Sequence, residues 1–320
     1  MQGAKVSKVS KVLGLDTSNY TTSAAILDTE NMCVNMKGRL LPVAAGAKGL
    51  RQSDAVFHHT KQLPQVIEQL VEDISGGLSG IGVSVKPRLE EGSYMPCFLV
   101  GEGLARSLGC TLGIVPDITS HQIGHILAAL FSANRLDLLG RRFAAFHVSG
   151  GTTDLLMCSY DEEYLLDIKR IGGSNDLKAG QAIDRLGVML GLDFPCGIEI
   201  EKLALKSQRE FKIRPSVRGF DCSLSGIENK CRKMLADGQS KEDTALFCLM
   251  SVYSAINALT DELYRQYGDI PVLYAGGVMS DKIIRRLIED KDRIFCEPEF
   301  SRDNACGVAL YSALKRGLVK

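Results

Sequence analysis

The sequence predicts an α/β fold with two similar lobes, and three features of the 320-residue chain support this. Strand-like and helix-like segments alternate along the chain, which is typical of α/β proteins. Residues 12–29 read as strand, polar turn and strand, and residues 142–160 repeat that order around a Gly/Thr turn. The length suits two domains. We therefore expect a first lobe over residues 1–141, closed by a C-terminal helix at about 303–320, and a second lobe over residues 142–302.

Hydrophobic periodicity and helix-start signals predict the remaining elements. A helix is expected over residues 54–74, where apolar residues recur near a period of 3.6, and a buried strand over residues 80–85. Ser120 is the expected N-cap of a helix that starts with His121. Further helices are expected over residues 101–113, 243–268, 281–290 and 303–317, and a strand that enters a glycine turn over 271–280.

Composition excludes several classes of protein. Hydrophobic residues make up 45% and charged residues 24%, which excludes a disordered chain and a small disulfide-stapled scaffold. Lys+Arg and Asp+Glu both number 38, so a basic surface for nucleic acid would have to be local. One segment is locally basic, with a solvated helix and loop face as the alternative interpretation. Its cations are Lys202, Lys206, Arg209, Lys212, Arg214 and Arg218.

The spacing of the cysteines and the length of the apolar segments predict the cellular compartment of the protein. None of the ten cysteines lies in a CxxC pair, so we expect reduced, mostly structural thiols. The first fifteen residues lack the apolar core of a secretory signal, and no run reaches the roughly 20 apolar residues of a membrane span. We therefore predict a cytoplasmic protein without a membrane partner.

A pair of histidines suggests a metal site. His121 and His125 are spaced i,i+4 on one helical face and could bind one metal ion, although two solvated helix histidines are the alternative. Asp303 at the start of the last helix could be a third ligand or only a helix cap. A zinc peptidase needs HExxH, and Gln122 stands where its general base would be. A peptidase mechanism therefore lacks its base.

Two glycine turns and one carboxylate suggest a nucleotide site. Ser149, Gly150 and Gly151 form a turn whose backbone amides could hold phosphate oxygens, or an ordinary hairpin turn. Gly276 and Gly277 follow a buried strand, where a nucleoside could lie against the backbone or a plain strand-to-helix turn could sit. Asp184 on a helix could accept hydrogen bonds from ribose hydroxyls or be a surface carboxylate.

Taken in chain order, these motifs resemble the TsaD/YgjD family, formerly known as the O-sialoglycoprotein endopeptidase or Gcp glycoprotease family. The order is a hydroxyl-rich turn, an HxxxH helix, an SGG turn, a GxAxDRLG helix and an AGGV turn. Residues 220–226, FDCSLSG, also match the family's FDFSFSG-like segment. The resemblance covers residues 12–314. It implies the ASKHA fold, in which two RNase H-like, actin-like lobes flank a cleft.

The same resemblance implies a reaction and its site. Family members transfer a threonylcarbamoyl group from threonylcarbamoyl-adenylate to adenosine 37 of tRNA, with TsaB-like and TsaE-like partner subunits. The implied ligands of one divalent metal ion, iron or zinc, are His121, His125 and Asp303. The implied residues around the adenine nucleotide, either the adenylate or an ATP-like ligand, are His147, Val148, Ser149, Gly150, Gly151, Asp184, Gly197, Gly276, Gly277 and Asp281. No residue stands out as a catalytic nucleophile.

Departures from the family pattern leave a second hypothesis open. Ile123 replaces the glutamate of HxEGH, Thr152 replaces the histidine of SGGHT, and Gln181 replaces the glutamate of GEAFDK. Asp281 stands where the family usually has asparagine, and residues 86–97 differ from its PGxxGSL-type loop. The chain thus resembles a divergent member. The alternative function is a paralogue that binds nucleotide and metal without this activity, or that acts as a partner subunit.

Overall fold

Two compact units make up the fold. The computed structural model of the chain describes residues 10–18, 20–42, 50–288, 293–301 and 305–319. Unit 1 comprises Met1–Phe131, Glu163–Leu165 and Asp303–Lys320, and unit 2 comprises Ser132–Glu162 and Leu166–Arg302. The lobe boundaries derived from the sequence stay a prediction.

Strands and helices alternate through both units. The first half of the chain contains β1 (Lys11–Ser18), β2 (Thr21–Asp28), β3 (Cys33–Leu40), α1 (Gln52–Glu68), α2 (Val71–Ile74), β4 (Gly80–Lys86), α3 (Phe98–Leu112), β5 (Asp117–Ser120), α4 (His121–Ser132), β6 (Phe143–Val148) and β7 (Thr153–Asp161). The second half contains β8 (Leu165–Ser174), α5 (Ala179–Met189), α6 (Gly197–Ala204), β9 (Val217–Arg218), β10 (Asp221–Cys222), α7 (Ser225–Ala236), α8 (Lys241–Tyr267), β11 (Val272–Ala275), α9 (Lys282–Ile288), β12 (Arg293–Phe295) and α10 (Ala305–Lys315).

Unit 1 has a five-stranded sheet in the order β3-β2-β1-β4-β5. The strands β1, β2 and β3 form an antiparallel meander, while β4 and β5 run parallel to β1. Successive side chains of a strand point to opposite faces. Leu13 and Leu15 of β1 pack with Leu63 of α1 and Ala105 of α3 on one face. Gly14 points to the other face, which α10 covers.

Close packing of α10 requires glycine in two strands. A Cβ atom on Gly14 would lie 2.1 Å from the carbonyl oxygen of Ala305, and one on Gly82 would lie 2.2 Å from that of Val308. Both distances are far shorter than a van der Waals contact. The last helix of the chain therefore lies directly on the central strands β1 and β4 of unit 1.

Unit 2 repeats the topology of unit 1. Its seven-stranded sheet has the order β12-β11-β6-β7-β8-β10-β9. The pair β6–β7 is antiparallel, as β1–β2 is, and β11 runs parallel to β6 as β4 does to β1. Phe146 and Tyr274 stack at 5.3 Å inside its core. The shared strand order confirms the internal repeat inferred from residues 12–29 and 142–160.

Most of the predicted elements are present. Ser120 caps α4, since its Oγ accepts a hydrogen bond from the amide of Ile123 at 3.3 Å. The helix expected over residues 54–74 is interrupted at Leu70, which leaves helical geometry at φ −109° and ψ 6° and is fully buried. Within the described ranges, no helix has the length and apolar content needed to cross a bilayer.

Candidate functional site

In unit 1 a buried carboxylate holds the first histidine of α4. Asp16, at the end of β1, is only 1% exposed. Both of its oxygens lie 3.1 Å from Nδ1 of His121, and Ser84 on β4 donates its hydroxyl to Oδ1. Burial alone would raise the pKa of Asp16, but the charge and hydrogen bond of His121 and the bond from Ser84 outweigh it. The pKa of this carboxyl is therefore below its ordinary value.

The geometry of this cluster suits a metal ligand on α4. The rings of His121 and His125 lie 4.6 Å apart, centroid to centroid, as the i,i+4 spacing predicts. A metal-ligating histidine usually has its second ring nitrogen hydrogen-bonded to a carboxylate, which orients the ring. Asp16 occupies that role at Nδ1 of His121, so a metal ion would be held through Nε2.

The third expected metal ligand, Asp303, lies outside the described residues. Among the residues that the structure describes, no group of three or more His, Cys, Asp or Glu side chains is placed to hold a metal ion. The two histidines therefore fit a metal site as a pair with a supporting carboxylate, and the triad stays a prediction.

In unit 2 the SGGT turn (residues 149–152) joins β6 to β7. The amide of Ser149 donates to the carbonyl of Thr152 at 2.9 Å, and the two hydroxyls lie 2.8 Å apart. The Ser149 hydroxyl also accepts from the amide of Gly151 at 3.3 Å. A Cβ atom on Gly150 or Gly151 would meet nothing within 4 Å. One side of the turn therefore presents open glycine backbone.

The N-terminus of α5 packs on this turn. The amide of Gly180 donates to the carbonyl of Ser149 at 3.2 Å, and that of Ala179 donates to the Thr153 hydroxyl at 2.9 Å. A Cβ atom on Gly180 would lie 2.7 Å from the Cα of Gly150. Because only glycine permits this approach, the positive end of the α5 dipole lies against the SGGT turn.

The second glycine turn also reaches the end of β6. Gly276 has φ +98°, and a Cβ atom there would lie 2.3 Å from the carbonyl oxygen of Val148. Any L side chain would meet both strain and a backbone clash. Gly277 differs, because its Cβ would meet nothing within 4 Å. The AGG turn is thereby fixed beside the SGGT turn.

A carboxyl pair follows the AGG turn. Asp281 is 9% exposed, and its Oδ1 caps α9 by accepting from the amides of Ile283 and Ile284 at 3.0 and 2.9 Å. Glu201 on α6 accepts from the amide of Lys282 at 2.9 Å. Burial raises the pKa of Asp281 to about 6. The nearby Glu201 carboxylate also raises this pKa, whereas the hydrogen bonds from the amides of Ile284 and Ile283 lower it. This carboxyl is therefore partly protonated near pH 6.

Asp184 fixes the connection between α5 and α6. Its Oδ1 accepts from the amide of Cys196 at 2.8 Å, and burial raises its pKa. Cys196 is fully buried against Gly187 of α5, where a Cβ atom would lie 2.1 Å from that of Cys196. Gly197 then opens α6, with nothing within 4 Å of its Cβ position. The observed partner of Asp184 is thus a backbone amide.

Asp176 ties the FDCSLSG segment to the sheet. Its Oδ1 accepts from the amides of Leu177 and Leu224 at 2.6 and 2.8 Å, and its Oδ2 from that of Ser225 at 3.2 Å. Burial would raise the pKa of this carboxyl, but the bonds from Ser225, Leu224 and Leu177 lower it to about 2. Its charged form therefore anchors the start of α7 beside β8.

The sequence-predicted residues divide between the units. All ten expected nucleotide-binding residues belong to unit 2, on β6, the two glycine turns, α5, α6 and the start of α9, whereas His121 and His125 belong to unit 1. Their roles toward a ligand stay predictions. Sequence reasoning missed Asp16, Asp176 and Glu201. Asp16 gave one signal, since a carboxylate that directly follows the apolar residues of a buried strand needs a partner.

Comparison with known families decides the assignment. Residues 45–310 match the family model described as "TsaD: tRNA N6-adenosine threonylcarbamoyltransferase". The chain belongs to this family. TsaD proteins are transferases that act on tRNA, as the description states. The resemblance drawn from the HxxxH, SGG and AGGV motifs is therefore confirmed.

Several relatives span most of the chain at low identity. A tRNA N6-adenosine threonylcarbamoyltransferase of Aromatoleum aromaticum is 29% identical, covering 95% of this chain and 91% of the relative. One from Thermofilum pendens is 25% identical, covering 95% and 88%. A probable bifunctional tRNA threonylcarbamoyladenosine biosynthesis protein of Thermoplasma volcanium is 27% identical. The match covers 88% of this chain but only 51% of that relative, so the chain spans about half of the relative's length.

Solved structures with little sequence identity share the fold. HypF of T. kodakarensis superposes with a TM-score of 0.60 at 14% identity, covering 98% of this chain and 48% of HypF. Component A of the (R)-2-hydroxyglutaryl-CoA dehydratase of Acidaminococcus fermentans gives 0.56 at 17% identity, covering 97% and 100%. These similarities concern the fold alone. They confirm the expected α/β, actin-like ASKHA class.

Proposed function

We propose that this chain transfers a threonylcarbamoyl group from threonylcarbamoyl-adenylate to the N6 amine of adenosine 37 in tRNA. The match of residues 45–310 to the TsaD family carries the proposal. In the reaction, the amine nitrogen forms a bond to the carbamoyl carbon, and the bond from that carbon to the phosphate oxygen breaks. AMP leaves with the electron pair, and the amine loses one proton.

The arrangement of unit 2 supports an adenylate site. The SGGT turn offers open backbone at Gly150 and Gly151, and the α5 N-terminus packed on it contributes a positive potential. The neighbouring AGG turn, with Gly277 open, would receive the nucleoside. In this proposal the two turns hold the phosphate and the nucleoside. The fixed positions of the adenylate and the tRNA amine then account for much of the rate enhancement.

A metal ion would be held by His121 and His125 of α4, with Asp303 as the expected third ligand. Two imidazoles and one carboxylate suit iron or zinc. When bound, the metal would supply Lewis-acid polarisation of a carbonyl or phosphate oxygen. Asp16 would orient the His121 ring through Nδ1. We further propose tRNA as substrate, TsaB-like and TsaE-like proteins as partners, and a cytoplasmic location.

One observation favours the alternative of a paralogue without transferase activity. Ile123 stands where the resemblance places a glutamate, and it is 1% exposed within the core. A carboxylate that a typical member would place on this helix is therefore replaced by buried apolar surface. In the alternative, the chain would bind nucleotide and metal, or a partner subunit, without modifying tRNA.

The test combines an activity assay with a metal measurement. Purified protein is incubated with threonylcarbamoyl-adenylate, unmodified tRNA and partner subunits, and the modified nucleoside is measured by mass spectrometry. We expect product with the native chain, and loss of both product and bound metal in His121→Ala. Gln122→Ala, the adjacent position on α4, is the matched control and should keep both. Bound metal without any product would reject the transfer and support the paralogue.

A further inference from the structure

A basic segment crosses from α6 to the edge of the sheet in unit 2. Residues 206–218, here called the basic ribbon, contain five Lys or Arg and one acid, Glu210, so the net charge is +4 in a chain whose total is zero. The five cations are Lys206, Arg209, Lys212, Arg214 and Arg218. These thirteen residues are therefore locally basic in a chain without net charge.

Exposure alternates along the second half of the ribbon. Lys212, Arg214 and Arg218 are exposed, whereas residues 211, 213, 215 and 217 are half-buried. This period of two is that of an extended chain, in which residues i and i+2 share one face about 7 Å apart. The three cations are thus presented outward in a row, with Arg218 on the edge strand β9.

The half-buried residues of the ribbon contact α8 and thereby position the exposed cations. The Phe211 ring contacts that of Phe247 on α8 edge-to-face at 5.5 Å. Ser254 of α8 donates to the carbonyl of Ile213 at 3.3 Å. Arg209 uses its charge locally, in an ion pair with Asp243 at 3.6 Å, and also donates to Oε1 of Gln239 at 2.7 Å. The ribbon is therefore held along α8, and its outward cations are positioned before any partner binds.

The outward cations have no acidic counterpart in the part of the chain that the structure describes. No ion pair within 4.0 Å is found for Lys206, Lys212, Arg214 or Arg218 in the described ranges. No large hydrophobic side chain of residues 206–218 is exposed either. A surface that inserts into a membrane needs several exposed apolar side chains among its cations. Leu205, directly before the ribbon, is 55% exposed, but residues 206–218 themselves add no exposed large hydrophobic side chain. The unpaired cations Lys212, Arg214 and Arg218 therefore fit a strongly charged, hydrophilic polyanion.

The end of the ribbon, β9, belongs to the sheet that carries the SGGT turn. At its end, β9 pairs with β10, and β10 pairs with β8 through Asp221 and Gly173. A Cβ atom on Gly173 would lie 2.1 Å from the carbonyl oxygen of Thr153, which follows the SGGT turn. A long polyanion bound on the ribbon would therefore reach, at Arg218, the edge of the sheet that carries the expected nucleotide site.

We propose that the basic ribbon is an RNA-docking surface, on which Lys212, Arg214 and Arg218 contact backbone phosphates of the tRNA substrate. The identity of the RNA as tRNA rests on the proposed function, whereas the contact with phosphates rests on the ribbon itself. Phosphate contacts position an RNA without reading its sequence. The ribbon therefore supplies affinity, and the choice of nucleotide lies elsewhere.

The experiment measures binding of the full chain to a fluorescent, unmodified tRNA transcript by anisotropy between 50 and 200 mM salt. The test variant is Lys212→Glu/Arg214→Glu/Arg218→Glu. The matched control, Lys61→Glu/Lys169→Glu/Arg286→Glu, reverses three exposed cations outside the ribbon and changes the net charge equally. We expect the Kd to rise about 30-fold or more in the test variant and less than about 3-fold in the control. The slope of log K against log salt should fall by about 2 to 3.

Several outcomes would overturn the proposal. Equal weakening by both triple variants would show an effect of net charge alone, and unchanged affinity of the test variant would show that the cations only protect a sheet edge. Competition by polyglutamate as effective as that by tRNA would remove the assignment to RNA. If the test variant fails to fold, the Lys212→Gln/Arg214→Gln/Arg218→Gln variant serves instead, with about 10-fold weaker binding expected.

The two proposals can fail separately. Ribbon-dependent tRNA binding without any threonylcarbamoyl transfer would reject the proposed function and keep the RNA-docking surface. Transfer with an unchanged KM for tRNA in the triple variant would keep the function and reject the surface. A native chain that binds no tRNA at 50 mM salt would also reject the surface.

Discussion

Replacement of Asp281 by asparagine should stabilise the protein at high pH and have little effect at low pH. Asp281 has a pKa of about 6 in the folded state against 3.8 for the free group. The folded chain therefore binds more protons than the unfolded chain between these values, and stability falls as the pH rises through that window. An asparagine side chain cannot ionise, so Asp281→Asn removes this loss.

The magnitude follows from the pKa difference. About two pKa units at 1.36 kcal/mol each give about 3 kcal/mol of destabilisation at pH 8, where Asp281 is charged in both states. At pH 4 the same linkage leaves about 0.5 kcal/mol. The amide oxygen of asparagine can accept from the amides of Ile283 and Ile284 as the carboxylate does. The cap of α9 should thus persist in the variant.

The assay is urea unfolding of the native chain and Asp281→Asn at pH 4 and pH 8. We expect the variant to gain about 2 to 3 kcal/mol at pH 8 and much less at pH 4. Glu201→Gln should reduce the pH dependence of the native chain, since it removes the carboxylate beside Asp281. Asp193→Asn, at an exposed position of the same unit, is the control and should change stability by less than about 0.5 kcal/mol. An equal gain at both pH values, or a loss at pH 8, would refute the reasoning.

Two further substitutions test the framework of unit 2. Asp176→Ala should lower the free energy of unfolding by about 1 to 2 kcal/mol in urea titrations, because it removes the acceptor of the amides of Leu224 and Ser225, whereas Asp176→Asn, which keeps one acceptor, should lose less. Equal losses would mean that the accepted bonds do not carry the effect. Gly276→Ala should destabilise by about 2 kcal/mol or more in thermal melts, since φ is +98° and the new Cβ would meet a β6 carbonyl. Gly277→Ala, with open space around its Cβ, should change the melting temperature little, and a similar drop in both variants would contradict the steric argument.

The pattern of apolar and polar residues in the sequence predicted those strands and helices that bury a continuous apolar face. The hairpins at residues 12–29 and 142–160 could be predicted because their strands are apolar and end at small hydroxylated or glycine turns. The strand β3 was missed, although the three polar residues of its sequence, CVNMKGRL, stand at alternate positions as in a half-exposed strand. None of its residues is buried, so it lacks the continuous apolar face that marks β1 and β2. It pairs with β2 in full register at the edge of the sheet.

The candidate site divides in the same way. The i,i+4 spacing of His121 and His125 placed both rings on one face of α4, which the structure has. The support from Asp16 spans 105 positions in the chain, so only the folded sheet brings it to His121. The carboxyl pair of Asp281 and Glu201 likewise needs α6 beside the AGG turn. Sequence reasoning found groups on one element and missed pairs formed between elements.

The packing of α10 on β1 and β4 has a consequence for synthesis of the protein on the ribosome. The central strands of unit 1 are made before unit 2, yet the helix that covers Gly14 and Gly82 is made after it. At about 5 to 20 residues per second, the ribosome needs roughly 10 to 40 s to travel from the end of α4 to the end of α10. During that interval one face of the nascent sheet lacks its own cover. Unit 2 can finish folding first, although it is the later unit to be translated.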